Sequence, residues 1–299
     1  MEVARRVAGL SAGNEAVAAL AAAGSVGAGI ADRFSDLELD CYWHRPPTDE
    51  ECLASVRAMD GELIALWDYD QDDEEWSEDY RVGELDITVS NFLTGSIERF
   101  LDDVIVGLST EPVRHMRLAA LQRSRPLIGA ELMSVWRARA DTFPDPLVSV
   151  LVARALAPEV LRSWSAREAL ASRGDNLALS DLLSRVGRAV VAAVLAVNRV
   201  YLPHGQLKWQ RDLISGLRIA PDGLAERLEG LSSGRSHEAI ETAEALLAEV
   251  TDLATANSGT DLGDFREALA ERRRPVDPPG PRSLPGPARA ARSTVAHDW

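Results

Sequence analysis

The chain has 299 residues, 46% of them apolar, and a formal net charge of −15. That length suffices for two domains with cores of their own, and no apolar run reaches the roughly 18 residues that a membrane-spanning helix needs. The negative balance argues against a protein that tracks a nucleic-acid backbone, because such affinity comes from Lys and Arg neutralising phosphates; an acidic surface attracts cationic molecules instead.

Taken in chain order, residues 3–22 read as an Ala-rich leading helix. Its Arg5-Arg6 ahead of Ala and Val mimics an export signal, but the segment runs straight into Gly24-Ser25, so a cytoplasmic location is expected. A turn at Gly24-Ser25 and the spacer Val26–Ser35 lead to a strand over 36–43 that opens Asp36-Leu37-Glu38-Leu39. Side chains alternate along a strand, so Asp36 and Glu38 share one face while Leu37 and Leu39 enter a core. Two carboxylates on one face suit a hard cation, and Mg2+ is usually held by one or two carboxylates plus substrate phosphates. Asp40 is a third acid on that face and reads as a solvated strand end.

A helix over 50–59 follows, then strands at 63–67 and 81–89 on either side of an acidic loop, 68–79, and a helix over 96–106. The loop carries Asp70, Asp72, Asp73, Glu74, Glu75, Glu78 and Asp79, a solvated stretch or a rim for an amine-bearing substrate. Asp86 lies in the alternating, β-branched run Leu85-Asp86-Ile87-Thr88-Val89. Glu98 and Asp102 are further acids that could border an acceptor pocket. Gly24, Gly27 and Gly29 are not expected to make a dinucleotide-binding turn, because an Ala-rich, helix-prone stretch precedes them and an acid-bearing strand follows, the wrong order for that turn. No Gly-Lys-Ser/Thr occurs to make a P-loop. Gly9-Leu10-Ser11-Ala12-Gly13 has the form of a nucleophile elbow but too little chain before it for a sheet.

The Gly-Ser, spacer and acid-apolar-acid-apolar order resembles the nucleotidyltransferase superfamily that includes DNA polymerase β. Within it, the chain resembles small antibiotic-modifying enzymes of the kanamycin nucleotidyltransferase type, which share the Glu at the second acid. The resemblance covers about residues 20 to 90. It implies a third carboxylate from a later strand, for which Asp86 is the candidate. It also implies two Mg2+ ions held by Asp36, Glu38 and Asp86, and an NTP whose phosphates meet Gly24 and Ser25.

From about residue 115 strand signals fade and helical patterns dominate, clearest at 147–156, 179–201, 206–217 and 237–255. Trp136, Trp164 and Tyr201 fall on helical faces as core residues, with base stacking open to Tyr201 or Trp209. Among 32 Lys and Arg the one lysine is Lys208. A compact ammonium is a point charge that can sit against phosphate oxygens, whereas arginine brings a wide planar fork, which makes Lys208 a candidate triphosphate contact. In the antibiotic-type enzymes that it resembles, a helical-domain lysine contacts the phosphates and a nearby carboxylate is the general base. His204 takes that carboxylate's spacing here and reads as an ordinary loop histidine. The five histidines lack zinc spacing, and Cys41 and Cys52 are expected as thiols. After Arg274 a Pro-, Gly- and Arg-rich tail is expected to be disordered.

The expectation is therefore an α+β protein: a small mixed-sheet nucleotidyltransferase domain over 1–112, a helical bundle over 113–270 and a tail over 271–299. The expected activity is transfer of a nucleoside monophosphate from an NTP, most simply ATP, to a hydroxyl of a small molecule, with release of pyrophosphate. Modification of a protein partner and non-catalytic ligand binding are the rival readings. No nucleic-acid or membrane partner is expected, and the sequence does not fix the oligomeric state.

Overall fold

The Ala-rich segment ahead of Gly24 divides into a helix and a strand. In the computed structural model, which describes residues 1–70 and 75–273, α1 spans Glu2–Ser11 and β1 spans Val17–Ala22. The single helix expected over 3–22 is thus corrected. β1 lies between two other strands and is covered on both faces, so Ala19, Leu20, Ala21 and Ala22 are all at most 1% exposed. A strand buried on both faces loses the alternation that marks a half-exposed one, and tertiary burial outweighs the helix preference of alanine.

The chain continues through α2 (Gly24–Ala28), β2 (Leu37–Trp43), α3 (Asp49–Cys52), α4 (Ala54–Ala58), β3 (Glu62–Asp70), β4 (Glu75–Val82), β5 (Leu85–Leu93) and α5 (Thr94–Ile105). The strand expected over 81–89 is in fact the end of one strand and the start of another. Gly83 adopts φ +63° in a two-residue turn between the paired Val82 and Leu85, the position where such hairpins require a left-handed residue. The acids of 68–79 are accordingly not one loop, because Glu75, Glu78 and Asp79 stand on β4. Asp72, Asp73 and Glu74 lie outside the described residues, as does the tail from 274.

The sheet order is β3-β4-β5-β2-β1-β6, with β6 (Arg125–Ile128) contributed from beyond residue 112. β2 and β5 run parallel; the other neighbours are antiparallel. One face of the sheet packs Leu37, Leu39, Cys41, Trp76, Tyr80, Ile87 and Val89 against α1 and α4. On the other face, Tyr42 and Phe92 meet α5, α6 (Pro112–Arg123) and α7 (Ala130–Ala140), where Trp136 is fully buried and edge-on to Tyr42 at 5.1 Å. Both helices after residue 112 therefore complete the second layer of the sheet.

The remaining helices are α8 (Asp145–Ala155), α9 (Arg167–Arg173), α10 (Asn176–Val197), α11 (Gln210–Ser215), α12 (Leu224–Ser233), α13 (Ser236–Ser258) and α14 (Gly263–Ala270). α10 forms their axis; its Leu182, Val186, Val190 and Val194 pack with Leu246, Leu247 and Val250 of α13. Arg167 is buried inside this bundle, paired to Glu244 at 2.6 Å and stacked 4.5 Å from the Trp164 ring. The architecture is α+β, a six-stranded mixed sheet followed by a helical region. Among the described residues no helix is long and apolar enough to cross a membrane.

Candidate functional site

A cleft of about 590 Å³ opens over Glu38 and Asp40 of β2 and Thr88 and Ser90 of β5, between α2, α6 and the segment 203–209. That size falls in the range of small-ligand sites. Along its floor run Asp36, just ahead of β2, and Glu38 and Asp40 of β2, in a series of increasing depth: Asp36 is exposed, Glu38 half-buried and Asp40 only 4% exposed. The solvated strand end expected at Asp40 is corrected by this burial. Alternation assigned Asp40 its face, but β1 and β5 on either side and Arg117 of α6 decide its depth.

Gly24 closes against this floor. It adopts φ +52°, and a β-carbon there would stand 1.4 Å from Glu38 Oε2, so no side chain fits while the carboxylate holds its place. The Ala23 amide donates to the Glu38 carbonyl at 2.9 Å, which fixes the start of α2 to β2. Ser25 follows as the first residue of the cleft wall with a hydroxyl. The spacer is ordered by an Asx-type turn, in which the Phe34 amide donates to Asp32 Oδ1 at 2.9 Å and the Asp32 amide to Ser35 Oγ at 2.9 Å. This turn delivers the chain to Asp36.

Burial raises the Glu38 carboxyl above the usual range, and repulsion from Asp36 and Asp40 adds to it; Lys208 and Arg117 oppose the shift. Burial likewise raises Asp40, against the opposing pull of Arg117 and of the Tyr42 hydroxyl, which donates to Asp40 Oδ2 at 3.4 Å. Arg117 is held in place by Glu75 at 2.8 Å and by the Phe92 ring 4.3 Å below its guanidinium. A cation between Asp36 and Glu38 would relieve the repulsion that raises the Glu38 carboxyl.

Of the residues singled out in the sequence, Gly24, Ser25, Asp36, Glu38 and Lys208 all line this cleft. Asp86 does not. Its β5 position puts it on the same face, but its carboxylate turns outward to Arg81 at 2.6 Å, and the pair is about half exposed. Arg81 holds its carboxyl below the usual range, and neither Asp36 nor Glu38 contributes to that shift. Thr88, opposite Glu38 in the parallel register, occupies the cleft instead and donates to Asp79 Oδ1 at 2.8 Å. The three-carboxylate, two-ion arrangement expected for Asp36, Glu38 and Asp86 is thus not assembled. Among the described residues, no group of three His, Cys, Asp or Glu is placed to hold a metal ion. Of the three expected carboxylates, Asp36 and Glu38 are the two that line the cleft together, and a carboxylate pair is a donor set that could hold one hard cation.

His204 lines the cleft, but its Nδ1 accepts from the Gln206 amide at 2.9 Å; burial lowers its pKa, and Lys208 lowers it further. Tyr201 is a core residue, 1% exposed, its hydroxyl donating to the Thr142 carbonyl. Trp209, 40% exposed, borders the cleft. Glu98 and Asp102 do not line this cleft and are bonded to Arg139. Sequence reasoning missed Arg117, Thr88 and Ser90, which reach the cleft from other elements and carry no local motif.

Neither a protein-family profile nor a curated protein sequence matches the chain. Solved structures do match, among them a nucleotidyltransferase-like protein from Exiguobacterium sibiricum, similar at 14% identity with a TM-score of 0.37, over 92% of this chain and 81% of that one. A likeness of that size adds nothing to the geometry above.

Proposed function

We propose that the cleft binds an NTP with Mg2+ and transfers its nucleoside monophosphate to a hydroxyl of a small molecule, as in the enzymes of the antibiotic nucleotidyltransferase type that the motif resembles. The observation that carries this reading is the fit of Gly24 against Glu38. The Gly24-Ser25 turn, with Gly24 at positive φ, and the acid pair are locked together, with the chain's one lysine in the same cleft. Backbone amides at the start of a helix and a serine hydroxyl suit phosphate oxygens, and Lys208 supplies a point charge for the departing pyrophosphate.

In this reading Asp36 and Glu38 would hold one cation, which would supply charge stabilisation at the phosphate oxygens. The acceptor oxygen forms a bond to the α-phosphorus, the bond from that phosphorus to the bridging oxygen breaks, and pyrophosphate leaves. Asp40, which lines the cleft and whose carboxyl burial raises above the usual range, is the group we assign to take the acceptor's proton. Asp86 stays with Arg81 and takes no part. The acidic surface suits a cationic acceptor, and an NTP donor is consistent with work in the cytoplasm.

Thr88 in the place expected for a third acid favours a second reading, nucleotide binding without transfer. Incubation with α-labelled NTPs and Mg2+ against a panel of aminoglycosides, nucleosides and proteins separates the two. Label on a small molecule, lost in Asp36→Ala and Glu38→Ala, supports transfer; nucleotide binding with no label moved to any acceptor refutes it.

A further inference from the structure

A second cavity, of about 470 Å³, shares two wall segments with the cleft but no lining residue. His115 faces it where Met116 and Arg117 face the cleft, and Val200 and Leu202 face it where Pro203 and His204 face the cleft. Its remaining walls are apolar, with Leu151 and Ala155 from α8 and Ala192 and Leu195 from α10. The charged side chains that line it are all arginines: Arg154, Arg185 and Arg188. No Asp or Glu lines it, in a chain whose formal net charge is −15.

The three arginines are not equally engaged. Arg185 pairs with Asp181 at 2.7 Å, one helical turn away. Arg154 donates to the Thr110 carbonyl at 2.6 Å and to its hydroxyl, neither of which cancels its charge. Arg188 has no hydrogen bond or ion pair among the described residues. Two uncompensated guanidinium groups therefore stand at an apolar cavity of a size that takes a small ligand, and a guanidinium fork matches the two oxygens of a carboxylate.

We propose that this cavity binds a small amphipathic carboxylate, its hydrocarbon body between α8 and α10 and its carboxylate at Arg154 and Arg188. The proposal does not depend on the reading of the cleft, because its test measures binding alone. Calorimetric titration of the full chain with octanoate and with 2-naphthoate, and with octanol as the uncharged counterpart, is the experiment. One saturable site is expected for at least one of the acids, with octanol about ten-fold weaker, as loss of a charge-assisted contact implies. Arg188→Ala, at an exposed position, should weaken the acid by about the same factor and leave octanol unchanged. Ala192→Trp, which fills the cavity, should abolish binding, with far-ultraviolet circular dichroism confirming that the variant is folded. If it does not fold, Arg188→Ala alone decides. The proposal is overturned if neither acid saturates wild-type protein, if octanol binds as tightly as the acids, or if Arg188→Ala binds the acid as wild type does.

Discussion

Glu78 is a glutamate that the fold holds away from water, and its replacement by glutamine should change how stability depends on pH. It stands on β4 between Trp76 and Tyr80, facing the apolar side of the sheet at 3% exposure, and accepts from Asn91 Nδ2 at 2.7 Å. Burial is the main cause that lifts its carboxyl from 4.5 to about 8. Because the folded value lies above the unfolded one, the folded state holds the proton more tightly. The associated stability is fully present below about pH 4.5 and is lost as pH rises toward 8. At 1.36 kcal/mol per pH unit the whole window amounts to roughly 5 kcal/mol, and the part between pH 6 and pH 9 to roughly 2.5 kcal/mol. Glu78→Gln keeps the acceptor for Asn91 and has no proton to lose. Urea unfolding at pH 6 and pH 9 should show wild type losing roughly 2.5 kcal/mol more than the variant across that interval. Parallel losses in the two proteins would refute the burial argument.

Gly24→Ala should weaken binding of nucleotide with Mg2+ by at least about ten-fold in calorimetry while costing only about 1 to 2 kcal/mol in thermal unfolding, since the new methyl displaces Glu38 and sits at positive φ. A variant that binds as wild type would show that Glu38 does not need its place. Asp86→Asn should leave kcat and KM for the NTP unchanged, because Arg81 holds that carboxylate outside the cleft; a loss of about 100-fold would mean that it is recruited to a metal during turnover. Lys208→Ala should raise KM for the NTP by about ten-fold, with Lys208→Arg only partly restoring it, as the wide fork replaces a point charge. Equal kinetics in all three Lys208 proteins would remove it from the phosphate site.

The parts of the site that were legible in the sequence are those that lie close together along it. Alternation in 36–40 gave the common face of Asp36, Glu38 and Asp40, and the solitary lysine singled out a residue that lines the cleft. Depth was not legible. Asp40 is buried because β1, β5 and Arg117 surround it, and nothing within a few residues of Asp40 encodes that cover. β1 was hidden because six small and apolar residues covered on both faces show no period. The hairpin at Gly83 was hidden inside a run whose strand preference continued across it. Asp86 illustrates the other limit. Its face was predictable from alternation, yet Arg81, directly across the β4–β5 ladder, captures its carboxylate. A pattern along one strand does not report the competing partner on the next.

Equilibrium binding of a non-hydrolysable ATP analogue, with and without Mg2+, to wild type and Glu38→Gln tests the reading of the cleft most directly. Tight binding by wild type only with Mg2+, weakened at least about ten-fold in the variant, is the predicted result. Binding that is indifferent to both Mg2+ and Glu38, or no binding at all, would contradict it.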